Sequence, residues 1–339
     1  MFSTKRAIAG VGALAILAVT SGCGSSSGGS SSKTINLVAY STPETAYEAL
    51  FPAFAKTVAG SGTRLAPAYG PSGTQEKNVV AGQKADVVEF SRASDMEKLV
   101  TAKLVAASWD ANPYQGMITD SVAVLITRKG NPLGIKNWDD LIKPGVKVVT
   151  PNPLSSGSAC WNLMAAYGAE LKEGKTPAQA LAFIKALLQH TVSQPDSGSD
   201  ATAAFVGGTG DVLIGYENEA IEAQQAGDAI SYLTPPDTIL IENPIAVTSN
   251  AQNPTLANNF VKFLYSDDGQ KIFASQGYRP VVKADLDTSK FPTPPGLFTI
   301  ASLGGWEAVN KQFFNTTAGS PTGSIAAIEE SLGRGSSDQ

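Results

Sequence analysis

Short apolar runs alternate with segments of helical periodicity along most of this chain. The apolar runs predict strands at 35–40, 65–69, 86–90, 121–127, 146–150, 211–215 and 240–247. The segments between them predict helices at 72–81, 158–171, 217–225, 256–265 and 268–276, with others opening at Thr42-Pro43 and at Thr176-Pro177. A chain of this kind folds into sheets, largely parallel, with helices packed on their faces. We therefore predict an α/β protein, and we find no internal repeat.

The first predicted helix carries a clear apolar face. Proline suits its first turn, because the N–H that proline lacks would have no partner there. Apolar residues then recur at every fourth position, which places them on one side of a helix. This pattern predicts that the following residues are buried: Ala46, Leu50, Phe54 and Val58.

The first 23 residues are typical of a secretory signal peptide. Lys5 and Arg6 precede an apolar run at 7–19, and the small residues Thr-Ser-Gly-Cys close it at 20–23. The run is too short to remain in a bilayer as a spanning helix. A cysteine after small residues also resembles a bacterial lipobox, although Thr stands where Leu or Val is usual. We expect cleavage before Cys23 and a lipid on its thiol; the alternative is ordinary cleavage with an unmodified cysteine.

Two further segments are predicted to lack a packed core. Residues 24–32 are only Gly and Ser, a composition typical of a flexible tether. A short helix is expected after Gly319, and 331–339 is predicted to be a disordered tail. The body between these segments has the length of one large or two ordinary domains.

Charge and composition exclude several classes of function. Without Lys5 and Arg6 the chain has 23 Lys and Arg against 30 Asp and Glu, a net charge of −7. Nucleic acid is therefore an unsuitable partner, and an anionic ligand must be held by local dipoles against the overall field. The chain has two cysteines, so if Cys23 carries a lipid, Cys160 has no partner for an internal disulfide. His190 is the single histidine, which excludes a histidine-rich metal site. We expect no metal and no cofactor.

Four segments place glycine and hydroxyl residues between a strand and a helix. They are 69–74 (Tyr-Gly-Pro-Ser-Gly-Thr), 152–158 (Asn-Pro-Leu-Ser-Ser-Gly-Ser), 196–199 (Asp-Ser-Gly-Ser) and 215–218 (Gly-Tyr-Glu-Asn). The first N–H groups of a helix have no intrahelical partner, and the helix dipole adds positive charge there. Glycine lets an anion approach closely, and serine adds a donor. One such segment usually only caps a helix; four of them favour an anion site.

The same segments belong to a longer resemblance. The stretch Val-Thr-Pro-Asn-Pro at 149–153, Ser-Ser-Gly at 155–157 and Trp-Asn at 161–162 resembles the signature of prokaryotic periplasmic sulfate-binding proteins. Other matching motifs follow in the family's order and spacing: Arg-Lys-Gly-Asn-Pro at 128–132, Asn-Trp-Asp-Asp-Leu-Ile-Lys-Pro-Gly-Val at 137–146, Gly-Asp-Val-Leu-Ile at 210–214, Glu-Asn-Glu-Ala at 217–220 and Tyr-Arg-Pro at 278–280. The resemblance runs from about residue 35 to about residue 314.

This resemblance implies a two-lobed type II periplasmic-binding-protein fold, in which each lobe is a mixed sheet flanked by helices. Residues 33–118 and 242–330 would form lobe 1, and 119–241 would form lobe 2. It also implies a monomer that binds sulfate in the cleft and delivers it to the membrane permease of an ABC importer with a cytoplasmic ATPase. The ligand would lie at the carboxyl ends of strands, as open α/β sheets favour.

The family binds dehydrated sulfate with backbone N–H groups, a serine hydroxyl and an indole N–H, and without a cationic side chain. Carried over by position, the resemblance implies a set of ligand-binding residues in both lobes. These are Ser72 in lobe 1 and Ser156, Gly157, Ser158, Ser199 and Tyr216 in lobe 2, with Ser41, Gly73 and Gly198 as secondary candidates.

Four positions depart from the family pattern. Tyr216 stands at the position of the indole donor, and Leu154 and Cys160 stand where the signature has Lys and Arg. Asp200 follows Ser199 where arginine is common. We expect Asp196 to cap the next helix and Asp200 to face solvent. These departures leave thiosulfate, phosphate and molybdate as alternative ligands.

An exported hydrolase of small esters is the alternative of another class. It would need a nucleophile beside a base. Cys160 is predicted to pack on the apolar side of its helix, and His190 lies in an Ala- and Leu-rich helix. The aspartate pair at 139–140 is predicted to serve a helix start rather than a metal.

Overall fold

The computed structural model describes residues 33–315 and 324–334; the predicted signal peptide and tether lie outside these ranges. The strands are β1 (Thr34–Tyr40), β2 (Arg64–Gly70), β3 (Val87–Glu89), β4 (Met117–Arg128), β5 (Val148–Val149), β6 (Thr191–Ser193), β7 (Val212–Tyr216), β8 (Ile230–Leu233), β9 (Leu240–Val247) and β10 (Arg279–Pro280). The helices are α1 (Glu44–Ala55), α2 (Ser72–Val80), α3 (Ala93–Thr101), α4 (Gly157–Lys172), α5 (Pro177–His190), α6 (Gly198–Val206), α7 (Glu217–Gln225), α8 (Pro254–Leu264), α9 (Asp267–Ser275), α10 (Gly305–Val309) and α11 (Ile325–Ser331). The predicted alternation of strands and helices is therefore confirmed.

The strands form one mixed, continuous sheet in the order β2-β1-β3-β9-β4-β7-β5-β6, with β8 and β10 also pairing with β4. β1 is parallel to β2 and β3, and β5 is parallel to β6 and β7. β9 runs antiparallel to both β3 and β4. We call β1, β2 and β3 the first strand group, and β5, β6, β7 and β8 the second strand group.

Two long strands connect these groups. Residues 117–122 of β4 pair with β9, whereas residues 123–128 pair with β7 and β8. In β9, residues 240–244 pair with β4 and residues 245–247 pair with β3. β9 therefore pairs with the first strand group and β4 with the second, and the pairing of β4 with β9 connects the two groups.

The two groups have different apolar clusters, and Tyr40 at the end of β1 packs in the cluster of the second group. Beside the first group, Tyr47 and Phe54 of α1 pack against Phe260 of α8, with Phe54 and Phe260 centroids 5.0 Å apart. In the second group, every residue of α4 from Gly157 to Glu170 is buried. A helix covered on all sides is central to its layer, so the amino terminus of α4 is held rigidly.

The predicted apolar face of the first helix is right for three residues and wrong for the fourth. Ala46, Leu50 and Phe54 are fully buried, but Val58 is 98% exposed. α1 ends at Ala55, so Val58 lies beyond the helix and the four-residue repeat no longer places it on the buried face. Pro43 is also not the first helical residue, since it occupies the capping position before Glu44.

The described carboxyl terminus is held by arginine contacts. Arg334 donates hydrogen bonds to the carbonyls of Leu188 and Thr191, at 3.1 and 2.8 Å. These contacts fall inside the segment predicted to be a disordered tail; residues 335–339 lie outside the described residues. None of the described helices is long and apolar enough to cross a membrane.

Candidate anion-binding site

Polar residues lie at or just beyond the carboxyl ends of β1, β3 and β7. Ser41 and Thr42 follow β1, Ser91 follows the buried end of β3, and Tyr216 ends β7. Near them α2, α4, α6 and α7 begin at Ser72, Gly157, Gly198 and Glu217. The sequence-predicted loops therefore meet at one edge of the sheet.

Contacts join loops from the two strand groups at this edge. The Gly73 N–H donates to the Ser155 carbonyl at 3.1 Å, so the start of α2 touches the loop before α4. The Ser199 N–H donates to the Ser41 hydroxyl at 3.5 Å, which brings α6 to the end of β1. A Cβ on Gly198 would lie 3.1 Å from Thr42 Oγ1. All but Ser199 are buried.

The amino terminus of α4 presents two backbone donors. Ser156 is its cap, and its side chain accepts a hydrogen bond from the Ala159 N–H at 3.4 Å. The N–H groups of Gly157 and Ser158 stand ahead of the first intrahelical bond. Within residues 33–315 and 324–334 they have no hydrogen-bond acceptor. These groups, with the dipole of a sixteen-residue helix behind them, can bind an anion.

The Ser72 hydroxyl is hydrogen-bonded within the protein. Its Oγ donates to Asp95 Oδ2 at 2.8 Å and accepts the Ser91 N–H at 3.0 Å. In this arrangement the hydroxyl proton is used inside the protein. The Ser72 N–H, at the first position of α2, is the donor that remains for a ligand.

Tyr216 lies among the hydroxyls of this edge. It is fully buried, and a hydrogen bond of 2.8 Å joins its hydroxyl to Ser91 Oγ. Burial raises the pKa of Tyr216 well above its ordinary value, while the hydroxyls of Ser158 and Ser91 lower it. The phenol therefore stays protonated and keeps a hydrogen to donate.

Comparison with known proteins places this arrangement in a family. A model of bacterial extracellular solute-binding proteins matches residues 35–279. The chain is 39% identical to a sulfate-binding protein of Synechococcus elongatus, over 92% of this chain and 94% of that protein. The solved structure of the sulfate-binding protein SubI from Mycobacterium tuberculosis H37Rv shares 43% identity and a TM-score of 0.81, covering 84% of this chain and 100% of that chain.

The chain belongs to the sulfate-binding protein family. It is a bacterial extracellular solute-binding protein with the two-lobed type II fold that the resemblance implied. A more distant structure, a periplasmic thiamin binding protein at 16% identity and a TM-score of 0.63, shares the fold alone. A thiosulfate-binding protein of Escherichia coli is also similar, at 32% identity over 82% of this chain and 87% of that protein.

Sequence reasoning missed three residues of the site in this family member. Ser91 is fully buried, and its carbonyl accepts hydrogen bonds from Trp161 Nε1 at 2.7 Å and Asn243 Nδ2 at 3.1 Å. Thr42 Oγ1 is buried and has no hydrogen-bond partner among the described residues. Ser91 directly follows the predicted strand at 86–90, and Thr42 lies two residues after the predicted strand at 35–40. The rule that found the loops could therefore have found both residues.

Glu219 is the third of these residues. A Cβ on Gly198 would lie 2.8 Å from Glu219 Oε1, so this carboxyl borders the start of α6. Burial raises the pKa of Glu219 to about 7, and hydrogen bonds from the Tyr216 N–H and the Thr202 hydroxyl lower it. Both oxygens therefore already accept hydrogen bonds from the protein.

Two of the positions that depart from the family pattern have different environments: Cys160 is buried and Asp200 is exposed. Cys160 is buried in the apolar core as predicted, yet Arg92 Nη1 lies 3.1 Å from its sulfur. A buried positive charge is thus present next to this position. Asp200 is exposed as expected, but Ser197 rather than Asp196 caps α6, because the Ser197 hydroxyl accepts the Asp200 N–H at 3.1 Å.

The residues that were considered as catalytic or metal-binding groups make other contacts in the structure. His190 Nδ1 is 3.1 Å from the Val146 carbonyl. Burial raises the pKa of the Cys160 thiol to about 11, which disfavours the nucleophilic thiolate. Asp139 lies close to Glu170 and Glu173, and Lys175 Nζ is within 3.4 Å of all three carboxylates.

The Tyr216 hydroxyl should contribute measurably to ligand binding. A hydrogen bond to a charged group contributes about 1.5–3 kcal/mol. We expect Tyr216→Phe to weaken anion binding by roughly tenfold or more, measured by titration calorimetry. Because Ser91 also loses a partner, Ser91→Ala is the matched control for the internal hydrogen bond. An unchanged dissociation constant in Tyr216→Phe would place the hydroxyl outside the ligand contacts.

Proposed function

We propose that this protein captures sulfate outside the cell membrane and delivers it to the permease of an ABC importer. The observation that carries the proposal is the set of backbone donors at the starts of α2, α4 and α6, which lie against one another at the strand ends. The relatives named sulfate-binding proteins support the same ligand.

A fully ionised oxyanion suits these donors. Ser72, Gly157 and Ser158 supply N–H groups that have no acceptor among the described residues, and the Ser199 N–H makes only a long hydrogen bond of 3.5 Å to Ser41 Oγ. No Lys, Arg or His lies within the four predicted loops. Helix starts carry partial positive charge, and a hydrogen bond to a charged group is about twice as strong as a neutral one. Sulfate can therefore be bound without a cationic contact in a protein of net negative charge.

Closure of the two lobes over the ligand is the second part of the proposal. The proposed lobes, 33–118 with 242–330 and 119–241, divide within β4 and β9, a few residues before these strands change partners after Val122 and Pro244. Donors from both sides would reach one anion only when the lobes are closed. Binding then stabilises the closed form, which is the form the permease would recognise.

Titration calorimetry with several oxyanions tests this function. We expect sulfate to bind with micromolar or tighter affinity and to raise the melting temperature by mass action. Thiosulfate is the nearest competitor, since a thiosulfate-binding protein is among the relatives. Tighter binding of thiosulfate, phosphate or molybdate than of sulfate would assign the protein to another oxyanion.

We also propose that lipid on Cys23 anchors the protein to the outer face of the cell membrane. The support is the sequence alone: a basic start, a short apolar run and small residues before the cysteine. Residues 24–32, all Gly and Ser, would then connect the lipid to the folded body.

Loss of Cys23 should release the protein from membranes. An acyl chain binds through its buried methylenes, and several chains make the attachment stable. We expect Cys23→Ala to move the protein from the membrane fraction to the soluble exported fraction, while its sulfate affinity stays unchanged. Cell fractionation with immunoblotting measures this. Wild-type protein recovered in the soluble fraction would contradict lipid anchoring.

A further inference from the structure

A buried ion pair lies directly behind the proposed anion site. Arg92 and Asp95 are joined by contacts of 2.8 Å from Nη2 to Oδ1 and 3.3 Å from Nε to Oδ2. Their side chains are 10% and 0% exposed. Both belong to the start of α3, which follows Ser91 in the chain. Removing charges from water is costly, so such a pair at this place calls for a specific reason.

Each member of the pair reaches a different part of the site. Asp95 Oδ2 accepts the Ser72 hydroxyl at 2.8 Å, and that hydroxyl accepts the Ser91 N–H at 3.0 Å. Arg92 Nη1 contacts Cys160 Sγ at 3.1 Å, one turn into α4 from Gly157. The pair therefore lies one side chain from the donors of α2 and borders the helix that supplies the α4 donors.

Arg92 is the buried cation that balances Asp95. Burial tends to raise the pKa of Asp95, but Arg92 and Lys98 together lower it below its ordinary value. Lys98 Nζ is 3.6 Å from Asp95 and 2.8 Å from Glu76, and its side chain is 51% exposed, so solvent and Glu76 weaken its effect. Without Arg92, a buried carboxylate would face the anion with little compensation.

We infer that Arg92 is a positioning residue of the anion site: it neutralises Asp95 and holds it as the acceptor for Ser72. This inference rests on the proposed function. Asp95 fixes the Ser72 hydroxyl, and the Ser72 N–H remains available for the ligand. Arg92 keeps that carboxylate from repelling a dianion, although it does not itself contact the ligand.

Opposite responses to removal of the two charges test the inference. Arg92→Met leaves a buried negative charge near the site, and we expect sulfate binding to weaken by about tenfold or more. Asp95→Asn keeps an acceptor for Ser72 but leaves Arg92 unbalanced, and we expect binding to tighten by roughly threefold or more. The double variant, with neither charge, should fall between the two. Titration calorimetry with sulfate measures all four proteins, after thermal unfolding confirms a cooperative fold.

A purely structural pair predicts a different pattern. Because loss of either partner would then only loosen the α3 start, both single variants would weaken binding. Weakening in both, or an unchanged affinity in both, overturns the inference. If Arg92→Met does not fold, Asp95→Asn decides alone, and any loss of affinity in it is the contradicting result. Absence of sulfate binding in the wild-type protein would instead contradict the proposed function.

Discussion

Replacing Gly157 with alanine is expected to weaken sulfate binding by about two orders of magnitude or more. The added Cβ would lie 2.7 Å from both Cβ and Oγ of Ser91 and 3.2 Å from Cβ of Ser72. Ser91 cannot move away, since its N–H, carbonyl and hydroxyl are all hydrogen-bonded. Overpacking costs about 1–3 kcal/mol, and a displaced N–H loses a charged hydrogen bond of about 1.5–3 kcal/mol.

A matched glycine substitution separates this effect from a general loss of stability. Gly207 directly follows α6, and a Cβ there would meet only backbone carbonyls at 3.2 Å and beyond. We expect Gly207→Ala to bind sulfate like wild type. Calorimetry compares the two variants, with thermal unfolding of the ligand-free proteins as the check on folding. If the sulfate dissociation constant of Gly157→Ala is within threefold of the wild-type value, the loops do not close on the ligand at this residue.

Sulfate should be preferred over phosphate by roughly a hundredfold or more, because an unmatched buried proton is costly. Sulfate is fully ionised at neutral pH and offers only acceptors. Phosphate keeps at least one proton, which requires an acceptor in the site. The N–H groups of Gly157 and Ser158 and the Tyr216 hydroxyl are donors, so that proton would remain unpaired.

Glu219 supplies the control for this selectivity. It is the buried carboxyl beside Gly198, but its two oxygens accept hydrogen bonds from Tyr216 and Thr202. Asp196 and Asp200 are exposed, and Asp200 Oδ2 accepts a hydrogen bond from the Ser197 hydroxyl at 2.6 Å. Competition calorimetry with phosphate measures the preference. If phosphate binds more tightly and Glu219→Gln removes that preference, a carboxyl accepts the phosphate proton and the sulfate assignment is wrong.

Local patterns were sufficient to predict most elements of this fold. Glycine and hydroxyl residues after short apolar runs marked the starts of α2, α4 and α6, because helix starts have strong residue preferences. The end of α1 was misplaced, since Val58 continues the apolar repeat beyond the last hydrogen-bonded turn. Periodicity records side-chain type, and it does not record where the backbone stops being helical.

The partners of the site residues could not be predicted from spacing. Ser72 lies nineteen residues from Ser91 and Ser91 lies 125 residues from Tyr216, yet all three are hydrogen-bonded in one network. Such contacts depend on how the strands are ordered in the sheet. The buried charge of Arg92 beside Cys160 follows from the same packing, whereas the sequence showed only that the cysteine replaced a basic residue.

The central claim is that hydrogen-bond donors at the helix starts bind the oxyanion. Its most direct test is an anomalous difference map from crystals grown with selenate and without sulfate. Selenate has the geometry and charge of sulfate, and selenium identifies the anion unambiguously. The account predicts one strong peak bonded by the N–H groups of Gly157 and Ser158 on one side and by the start of α2 at Ser72 on the other. A peak bound instead by surface Lys or Arg side chains, with none between α2 and α4, would contradict it.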